Sequence, residues 1–182
     1  MPPFRYCPLC ASPLVRRRPP DDSLERQVCP ACGRVWYKNA KPCVGALITQ
    51  NGRVLLARRA GPPAAGAWDL PGGFLEAWEH PEAGLVREIQ EETGLTVRPV
   101  RLLGIFPDRY GADGDYTLNL HYLAEVVAGV PTPASDVAAL AWFGPDEIPA
   151  DLAFANVRQA LAAWREWVTR PPACSNSPEA GC

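Results

Sequence analysis

No apolar run in the 182-residue sequence is long enough to cross a lipid bilayer, which takes about 20 consecutive apolar residues. The first residues, Met-Pro-Pro-Phe-Arg-Tyr-Cys, have neither the apolar core of a signal peptide nor a transit-peptide pattern. Lysine is nearly absent, because Lys38 and Lys41 are the only lysines, and we attribute this to genome composition. From the lack of a membrane span and of a targeting signal, we expect a cytoplasmic protein.

Excess charge is also lacking. The formal net charge is −2, so the whole molecule offers no electrostatic case for a nucleic-acid partner. The composition, 47% hydrophobic, is that of a globular protein. The length suits one ordinary domain with a small appendage.

Four of the seven cysteines form two C-x2-C pairs. Cys7 and Cys10 make the first pair, and Cys29 and Cys32 the second. This spacing is typical of a four-thiolate zinc ribbon. Disulfides fit poorly with a chain that has no export signal, and a redox motif would precede a helix in a βαβ unit. We expect structural Zn²⁺ to stabilise this short segment. Gly33 follows the second pair, whereas Ala11 follows the first.

The other segments predict a larger domain. We place the ribbon at residues 1–38, the main domain at 39–170 and a disordered tail at 171–182, with free thiols at Cys174 and Cys182. Two apolar runs around Gln50-Asn51-Gly52 predict a hairpin. Further strands are predicted at 68–70, 97–106, 117–127 and 139–143, and an amphipathic helix at 156–168. Strands on both sides of one central helix imply an α/β sandwich around a mixed sheet.

The central helix carries three glutamates, Glu88, Glu91 and Glu92, at positions that share one face. Such a cluster is favourable once a hard divalent cation binds it, although a solvated acidic helix is the simpler alternative. Pro81 suits the first helical position and Gly94 a left-handed helix end. The residues that can pack on a core lie on the adjacent face: Leu85, Val86, Ile89 and Thr93. We expect a turn at residues 70–73, ahead of the helix, and room for a bulky group at Gly84.

The spacing of fixed residues around this helix resembles the Nudix box. In order, these are Gly73, Glu79, Arg87-Glu88, an aliphatic residue, Glu91-Glu92, Gly94 and an aliphatic residue. The order of ribbon, Trp36-Tyr37-x-Asn39, hairpin and box resembles the zinc-ribbon branch of the Nudix hydrolases. The later stretch from Trp142 to Phe154 is most similar to plant-type FAD/ADP-ribose pyrophosphohydrolases. The motif that NADH pyrophosphatases carry after the box is absent from residues 105–110.

This resemblance implies a fold and a chemistry. The fold is the Nudix α/β/α sandwich around a mixed sheet, with an N-terminal zinc ribbon. The reaction is Mg²⁺- or Mn²⁺-dependent hydrolysis of a nucleoside diphosphate linked to another moiety. The implied metal ligands are Glu88, Glu91, Glu92, the backbone of Gly73 and Asp136, with Glu88 or Glu91 open as general base. Glu79 and Arg87 match the ion pair that braces the box, and Arg59 a phosphate contact.

Two positions depart from the family pattern. Trp78 stands where the box usually has glycine, so its ring either narrows the site or packs outward. Asp136 stands where many members have glutamate, and Ala139 where a second acid is frequent, which places a fourth carboxylate in doubt. Candidate stacking partners for a substrate ring are Phe106, Tyr110, Tyr116, His121 and Phe154, although aromatic residues near strands are more often core.

Three functional readings follow. The first is a pyrophosphatase acting on FAD, ADP-ribose or a related dinucleotide. The second is an NADH/NAD pyrophosphatase or an enzyme that removes NAD caps from RNA, the one nucleic-acid partner left open. The third is a nucleotide-sensing module without catalysis, which the intact set of glutamates disfavours. A homodimer is open as well, because the sequence does not decide the oligomeric state.

Overall fold

The computed structural model describes residues 4–112 and 114–169. The N-terminal part is a three-stranded antiparallel sheet in the order β1-β2-β3. Its strands are β1 (Val15–Arg17), β2 (Arg26–Val28) and β3 (Val35–Trp36). The tail at 171–182, with Cys174 and Cys182, lies outside the described residues, and the domain limits stay a prediction.

The main sheet has seven strands and is mixed. Its order is β10-β5-β4-β9-β8, with β4 parallel to β9 and the other neighbouring pairs antiparallel. Two short strands, β6 and β7, pair with β5 and β4. The strands are β4 (Lys41–Gln50), β5 (Arg53–Arg59), β6 (Trp68–Asp69), β7 (Gly72–Phe74), β8 (Thr96–Arg109), β9 (Tyr116–Ala128) and β10 (Val137–Phe143).

One helix covers each face of this sheet. Helix α1 (Pro81–Thr93) buries Leu85 and Ile89 against one side, among Val44, Ala46, Ile48 and Tyr122. Helix α2 (Ala155–Thr169) buries Val157, Leu161 and Trp164 against the other, among Leu47, Val54, Leu56 and Leu123. Because side chains alternate along a strand, β4 supplies both cores from successive residues. The predicted sandwich is confirmed.

The predicted hairpin connects β4 to β5. Gln50 pairs with Arg53, and the two residues between them, Asn51 and Gly52, have φ angles of 50° and 74°. Positive φ at both positions is the requirement of a type I′ turn, whose twist matches that of the strands.

The turn predicted at residues 70–73 is partly wrong. Gly72 and Gly73 belong to strand β7, which pairs antiparallel with Cys43–Gly45. This glycine-rich segment has no alternation of apolar and polar side chains that would predict a strand. The strand forms because its backbone pairs with β4.

Helix α1 begins and ends as its sequence predicts. His80 caps its start, with Nδ1 accepting a hydrogen bond from the Glu82 N–H at 3.3 Å, and Pro81 follows. Gly94 ends it with φ 69° and donates to the Gln90 carbonyl oxygen at 3.0 Å. A Cβ at Gly84 would lie 2.4 Å from Leu75 Cδ2 and 2.8 Å from Glu79 Oε2, so these two groups need the room expected there.

Neither helix has the length and apolarity to span a membrane, within residues 4–112 and 114–169.

Candidate active site

A cavity of about 350 Å³ lies on the sheet face that α2 covers only in part. Helix α2 packs on Leu47 and Leu123, farther along β4 and β9. The uncovered half of the same face supplies the cavity floor from alternate residues of the two parallel strands. These residues are Cys43, Gly45, Thr117, Asn119 and His121.

The inner end of the cavity is acidic, because Glu88, Glu92, Asp69 and Asp136 line it together. Glu92 Oε2 accepts a hydrogen bond from the Gly72 N–H at 2.8 Å, which anchors the helix to β7. Burial raises the pKa of Glu92 to about 8, and the nearby carboxylates of Asp136, Asp69 and Glu88 act in the same direction.

Glu88 reaches the cavity past β7. Its carboxylate lies where a Cβ at position 73 would be, 2.5 Å from the ideal position, so only glycine fits at Gly73. Arg87 Nη1 donates to Glu88 Oε1 at 2.8 Å. Burial raises the pKa of Glu88, although Arg87 opposes that shift.

The ion pair between Glu79 and Arg87 braces the loop ahead of α1. Arg87 donates from Nε and Nη2 to the two carboxylate oxygens, at 2.8 Å each. Its Nη2 also donates to the Phe74 carbonyl oxygen at 3.2 Å, which connects helix, loop and β7. The two hydrogen bonds from Arg87, with a further one from the Glu76 N–H, lower the pKa of Glu79 to about 2.

Glu91 differs from its two neighbours in the box. Its side chain is 55% exposed, lies 3.4 Å from Arg87 Nη1 and is not part of the cavity lining. The residues flanking it in the motif, Glu88 and Glu92, are the ones that enter the cavity. Trp78 is fully exposed at φ 68°, so its ring packs outward and leaves the site open.

Asp69, which was not predicted from the sequence, lies at the inner end of the cavity beside Arg59. Arg59 Nη1 is 3.1 Å from Asp69 Oδ2, and its other nitrogens donate to the Tyr110 hydroxyl at 2.9 Å and the Pro63 carbonyl at 2.8 Å. Burial raises the pKa of Asp69 to about 6. The available signal was an acidic residue between Trp68 and Leu70, in a strand otherwise apolar.

An aromatic wall borders the cavity on the side of β8. Tyr110 stacks on Phe154 with ring centroids 5.5 Å apart and meets Phe74 edge-on at 5.3 Å. The Arg59 guanidinium lies 5.6 Å and 5.3 Å from the centroids of the Tyr110 and Phe154 rings. Of the other candidate stacking residues, Phe106 packs in the α2 core and Tyr116 is exposed at the outer end.

A buried polar chain supports this wall. His121 Nε2 lies 2.8 Å from Asn156 Oδ1, and Asp108 Oδ2 accepts from the Asn156 amide and backbone N–H at 2.9 and 2.7 Å. Although burial opposes it, hydrogen bonding lowers the pKa of Asp108, so its carboxylate only accepts. The network therefore assigns the His121 proton to Nε2. The chain connects β8 and β9 to the start of α2, beside Tyr110 and Phe154.

The four predicted zinc ligands converge in the ribbon. The Sγ atoms of Cys7, Cys10, Cys29 and Cys32 lie within 4.8 Å of one another, with Cys7 to Cys32 at 3.8 Å and Cys10 to Cys29 at 3.4 Å. A tetrahedron with Zn–S bonds of about 2.3 Å has edges of about 3.8 Å, so the cluster fits structural zinc. Cys43 is buried in the cavity floor, as a core residue rather than a ligand of this cluster.

The inner end of the cavity fits a hard cation of another kind. Four carboxylates line it beside one guanidinium group: Glu88, Glu92, Asp69 and Asp136 with Arg59. Such an excess of oxygen ligands around an open cavity is the environment in which Mg²⁺ or Mn²⁺ binds together with substrate oxygens.

Comparison with known proteins agrees with this geometry. The NUDIX domain family matches residues 40–165, and the Nudix N-terminal family, a zinc ribbon, matches residues 5–38. An ADP-ribose pyrophosphatase of Methanocaldococcus jannaschii is 32% identical over 115 residues, which cover 62% of this chain and 67% of the relative. The NAD-capped RNA hydrolase NudC of Stutzerimonas stutzeri is 32% identical over 165 residues, 88% of this chain and 54% of the relative.

Among solved structures, a NUDIX hydrolase from Nitrosomonas europaea superposes with a TM-score of 0.76 at 27% identity, covering 92% of this chain and 95% of the other. The chain spans between about half and two thirds of the length of the curated relatives it matches. The family match extends over more than half of the sequence and includes every residue of the box. The chain therefore belongs to the Nudix family, in the group that carries an N-terminal zinc ribbon.

Proposed function

We propose that the chain is a divalent-metal-dependent pyrophosphohydrolase. Its substrate is a nucleoside diphosphate linked to another moiety, with FAD, ADP-ribose or a related dinucleotide as the leading class. The products are a nucleoside monophosphate and the phosphorylated second moiety. The observation that carries the proposal is the acidic inner end of the cavity, where Glu88 and Glu92 meet beneath β7.

In this proposal Mg²⁺ or Mn²⁺ neutralises the diphosphate and activates the attacking water when bound. Glu88 and Glu92 are direct ligands from within the cavity, and the Gly73 backbone and Asp136 stand beside them. Glu91 acts from the rim, so either it or Glu88 is the general base. Arg87 holds Glu88 in place and is itself fixed by Glu79, which makes the pair a brace for the ligands.

The non-phosphate part of the substrate faces the aromatic wall. Tyr110 and Phe154 present ring surface to the cavity, and a planar base or isoalloxazine stacks on such surfaces. Arg59 is already engaged by Asp69 and Tyr110. We therefore propose that Arg59 positions this wall, while its predicted phosphate contact requires it to exchange one of these bonds.

Hydrolysis of NADH, or removal of NAD caps from RNA, is the second candidate. It is favoured by the similarity to proteins named NAD-capped RNA hydrolase. The absence of the post-box motif from residues 105–110 leads us to expect higher kcat/KM for FAD or ADP-ribose than for NADH. A cytoplasmic location and a homodimer remain predictions. A sensor without turnover is the non-enzymatic alternative, and an activity assay distinguishes it from the enzyme.

A substrate panel in water labelled with ¹⁸O tests the proposal. FAD should give FMN and AMP, and NADH should give NMNH and AMP, because metal at the box clamps the pyrophosphate. The label should appear on a phosphate oxygen, and chelation of divalent metal should stop the reaction. Release of free nicotinamide, or label on a ribose carbon, would show glycosidic cleavage and refute the mechanism. Tight binding without turnover in Mg²⁺ and Mn²⁺ would favour the sensor.

A further inference from the structure

One row of the main sheet, beneath the cavity, consists of three glycines and a histidine. Gly45 on β4 pairs in register with Gly72 on β7 and with His121 on β9. His121 pairs in turn with Gly104 on β8. Gly72 is also the residue whose N–H binds Glu92. The row therefore connects the acidic end of the cavity to the histidine through a single strand, β4.

The glycine at position 45 leaves room for the His121 ring. A Cβ at Gly45 would lie 2.5 Å from His121 Nδ1 and 2.7 Å from its Cε1, so this edge of the imidazole occupies the place of a side chain. Gly45 and His121 both line the cavity. The ring therefore leans from β9 across β4, on the cavity side of the sheet and toward the strand that holds Glu92.

The Nδ1 atom of this ring is an acceptor that lacks a donor. Because Asp108 orients the Asn156 amide, the ring proton is on Nε2 and Nδ1 carries a lone pair. Burial lowers the pKa of His121, although bonds with Asn156 and the Gly45 backbone oppose that shift, so the ring is neutral. Within residues 4–112 and 114–169, Nδ1 is buried without a hydrogen-bond partner. A buried polar atom left unpaired costs free energy, so we look for its donor in a ligand.

The chemistry of the substrate class limits which donor can reach Nδ1. The oxygens of an ionised diphosphate only accept, so the lone pair of Nδ1 repels them and favours their placement on the metal. The nearest groups that donate are the hydroxyls of the attached ribose. Neighbouring strands lie about 4.8 Å apart, so the ring edge over Gly45 is about one strand spacing from Gly72 and its bond to Glu92. A ribose joined to a diphosphate at the acidic end spans this short interval, whereas its base lies farther away.

We propose that His121 Nδ1 accepts a hydrogen bond from a hydroxyl of the ribose next to the cleaved diphosphate, and that this bond selects ribonucleotides over deoxyribonucleotides. The inference rests on the proposed function, because it places the diphosphate at the acidic end. A substrate without the hydroxyl leaves the buried acceptor unpaired, and a site built for a hydroxyl rejects such analogues strongly. Asp108 acts through Asn156 as a positioning residue, since it fixes the tautomer that makes Nδ1 the acceptor.

The test uses the full chain with zinc and Mg²⁺, and substrates that differ only in their ribose hydroxyls. Diadenosine diphosphate has two identical halves, so removal of one hydroxyl from both riboses leaves no second copy of the donor. The 2′-deoxy and 3′-deoxy forms are compared with the parent compound. For the form that lacks the donor, kcat/KM should be about tenfold lower, which corresponds to one lost hydrogen bond. Equal kcat/KM for all three compounds would overturn the proposal.

Two substitutions separate the roles of the two ring nitrogens. His121→Gln retains a donor in the position of Nε2 but has no acceptor in the position of Nδ1, so it should bring the ratio of parent to deoxy substrate close to one. His121→Asn places its amide oxygen near the position of Nδ1 and loses the bond to Asn156, so it should keep most of the ratio at lower stability. His80→Gln is the matched control, because His80, the other histidine, is exposed at the start of α1. A ratio that His121→Gln leaves intact would overturn the proposal.

Nitrogen-15 spectra of the wild-type imidazoles test the hydrogen bond without turnover. The ligand is diadenosine diphosphate with methylene in place of the bridging oxygen, which blocks cleavage at that bridge. On saturation the Nδ1 resonance of His121 should shift as the atom becomes an acceptor, while the resonances of His80 stay in place. The deoxy form that lacks the donor should bind without this shift. An unchanged Nδ1 resonance at saturation overturns the inference. If the shift appears but no substrate turns over, the proposed function fails and the hydroxyl contact stands.

Discussion

The chain carries two metal-binding regions that are built in opposite ways. In the ribbon, four sulfur atoms lie within 4.8 Å of one another, so the coordination sphere is closed by protein alone. At the box, the carboxylates of Glu88 and Glu92 line an open cavity, and Glu91 stays at the surface. Among the residues described, the cysteines alone form a ready-made cluster of ligand atoms.

This difference distinguishes a structural metal, which stabilises a fold, from a catalytic metal, which binds the substrate. The ribbon's strands have two or three residues each and bury little besides Val28 and two of the cysteines. The main domain has a core on each face of its sheet, so we expect it to fold without metal. An open site leaves coordination positions for phosphate oxygens and water.

The largest expected effect is the loss of folding of the ribbon when its closed zinc site is disrupted. Replacing both Cys29 and Cys32 with serine should remove one tightly bound zinc per chain. The ribbon should then unfold, because zinc supplies about 10–16 kcal/mol in comparable small domains, while the main domain keeps its own cooperative transition. Elemental analysis and hydrogen exchange measure the two halves of this prediction. Cys43→Ser is the control, since Cys43 lies outside the cluster. Wild-type protein purified without chelator but free of zinc would contradict it.

A substitution that disrupts the open site should have a smaller effect, and it should change the reaction rate rather than folding. Glu92→Gln should lower kcat by about 10³-fold, since a metal centre contributes several kcal/mol to the transition state. The fold should persist, because the glutamine oxygen can still accept the Gly72 N–H. Glu91→Gln should also lower kcat, but less than Glu92→Gln, because Glu91 lies at the rim. Steady-state kinetics in Mg²⁺ compare the two, and near-wild-type rates for both would show that the box does not bind the catalytic metal.

The sequence predicted the closed site almost completely and the open site only in outline. Cysteine spacing determines which thiolates can meet, so Cys7, Cys10, Cys29 and Cys32 followed from the pattern alone. The spacing of the glutamates placed them on one helix but could not show that Glu88 and Glu92 turn inward and Glu91 does not. That division depends on where β7 crosses the helix, because Gly73 leaves room for the Glu88 carboxylate and the Gly72 N–H binds Glu92.

The same limit applies to the rest of the cavity. Hairpin, strands and helices followed from periodicity and turn residues, as at Asn51-Gly52. Asp69 was missed because its partner, Arg59, lies on another strand. The role of His121 depends on Asn156, 35 residues away. Pairs of this kind carry little local sequence signal: Asp69 is an acidic residue in an otherwise apolar strand, but nothing in its segment identifies Arg59 as its partner.

The stability of the main domain should depend on pH because of the open site, and this prediction sharpens the contrast with the ribbon. The pKa of Glu92 is about 8 in the folded protein and close to 4.5 when unfolded, so the folded state binds the proton more tightly. Stability without divalent metal should then fall as pH rises from about 5 to 8, by roughly 3 to 4 kcal/mol from this group. Urea unfolding of wild type and Glu92→Gln across this range compares the two pH slopes, and their difference reports Glu92 together with its coupling to Asp69, Asp136 and Glu88. Equal pH slopes for the two proteins would show that folding does not raise the pKa of Glu92.

The smallest expected effect is on stability, and it comes from strained backbone next to each of the two sites. Ala11, after the first cysteine pair, has φ 57°, and Trp78, in the loop ahead of the box helix, has φ 68°. Both are left-handed conformations that disfavour residues with a Cβ. Trp78 is also fully exposed, so its ring stabilises no described core. Trp78→Gly should therefore raise stability by about 1 kcal/mol, seen as a higher urea midpoint with an unchanged slope. Trp78→Ala removes the ring but keeps the strain, so it should leave the midpoint near that of wild type. If alanine stabilised as much as glycine, exposure of the ring rather than the backbone angle would be the cause. A loss of stability in both variants would mean that the indole packs on the protein after all.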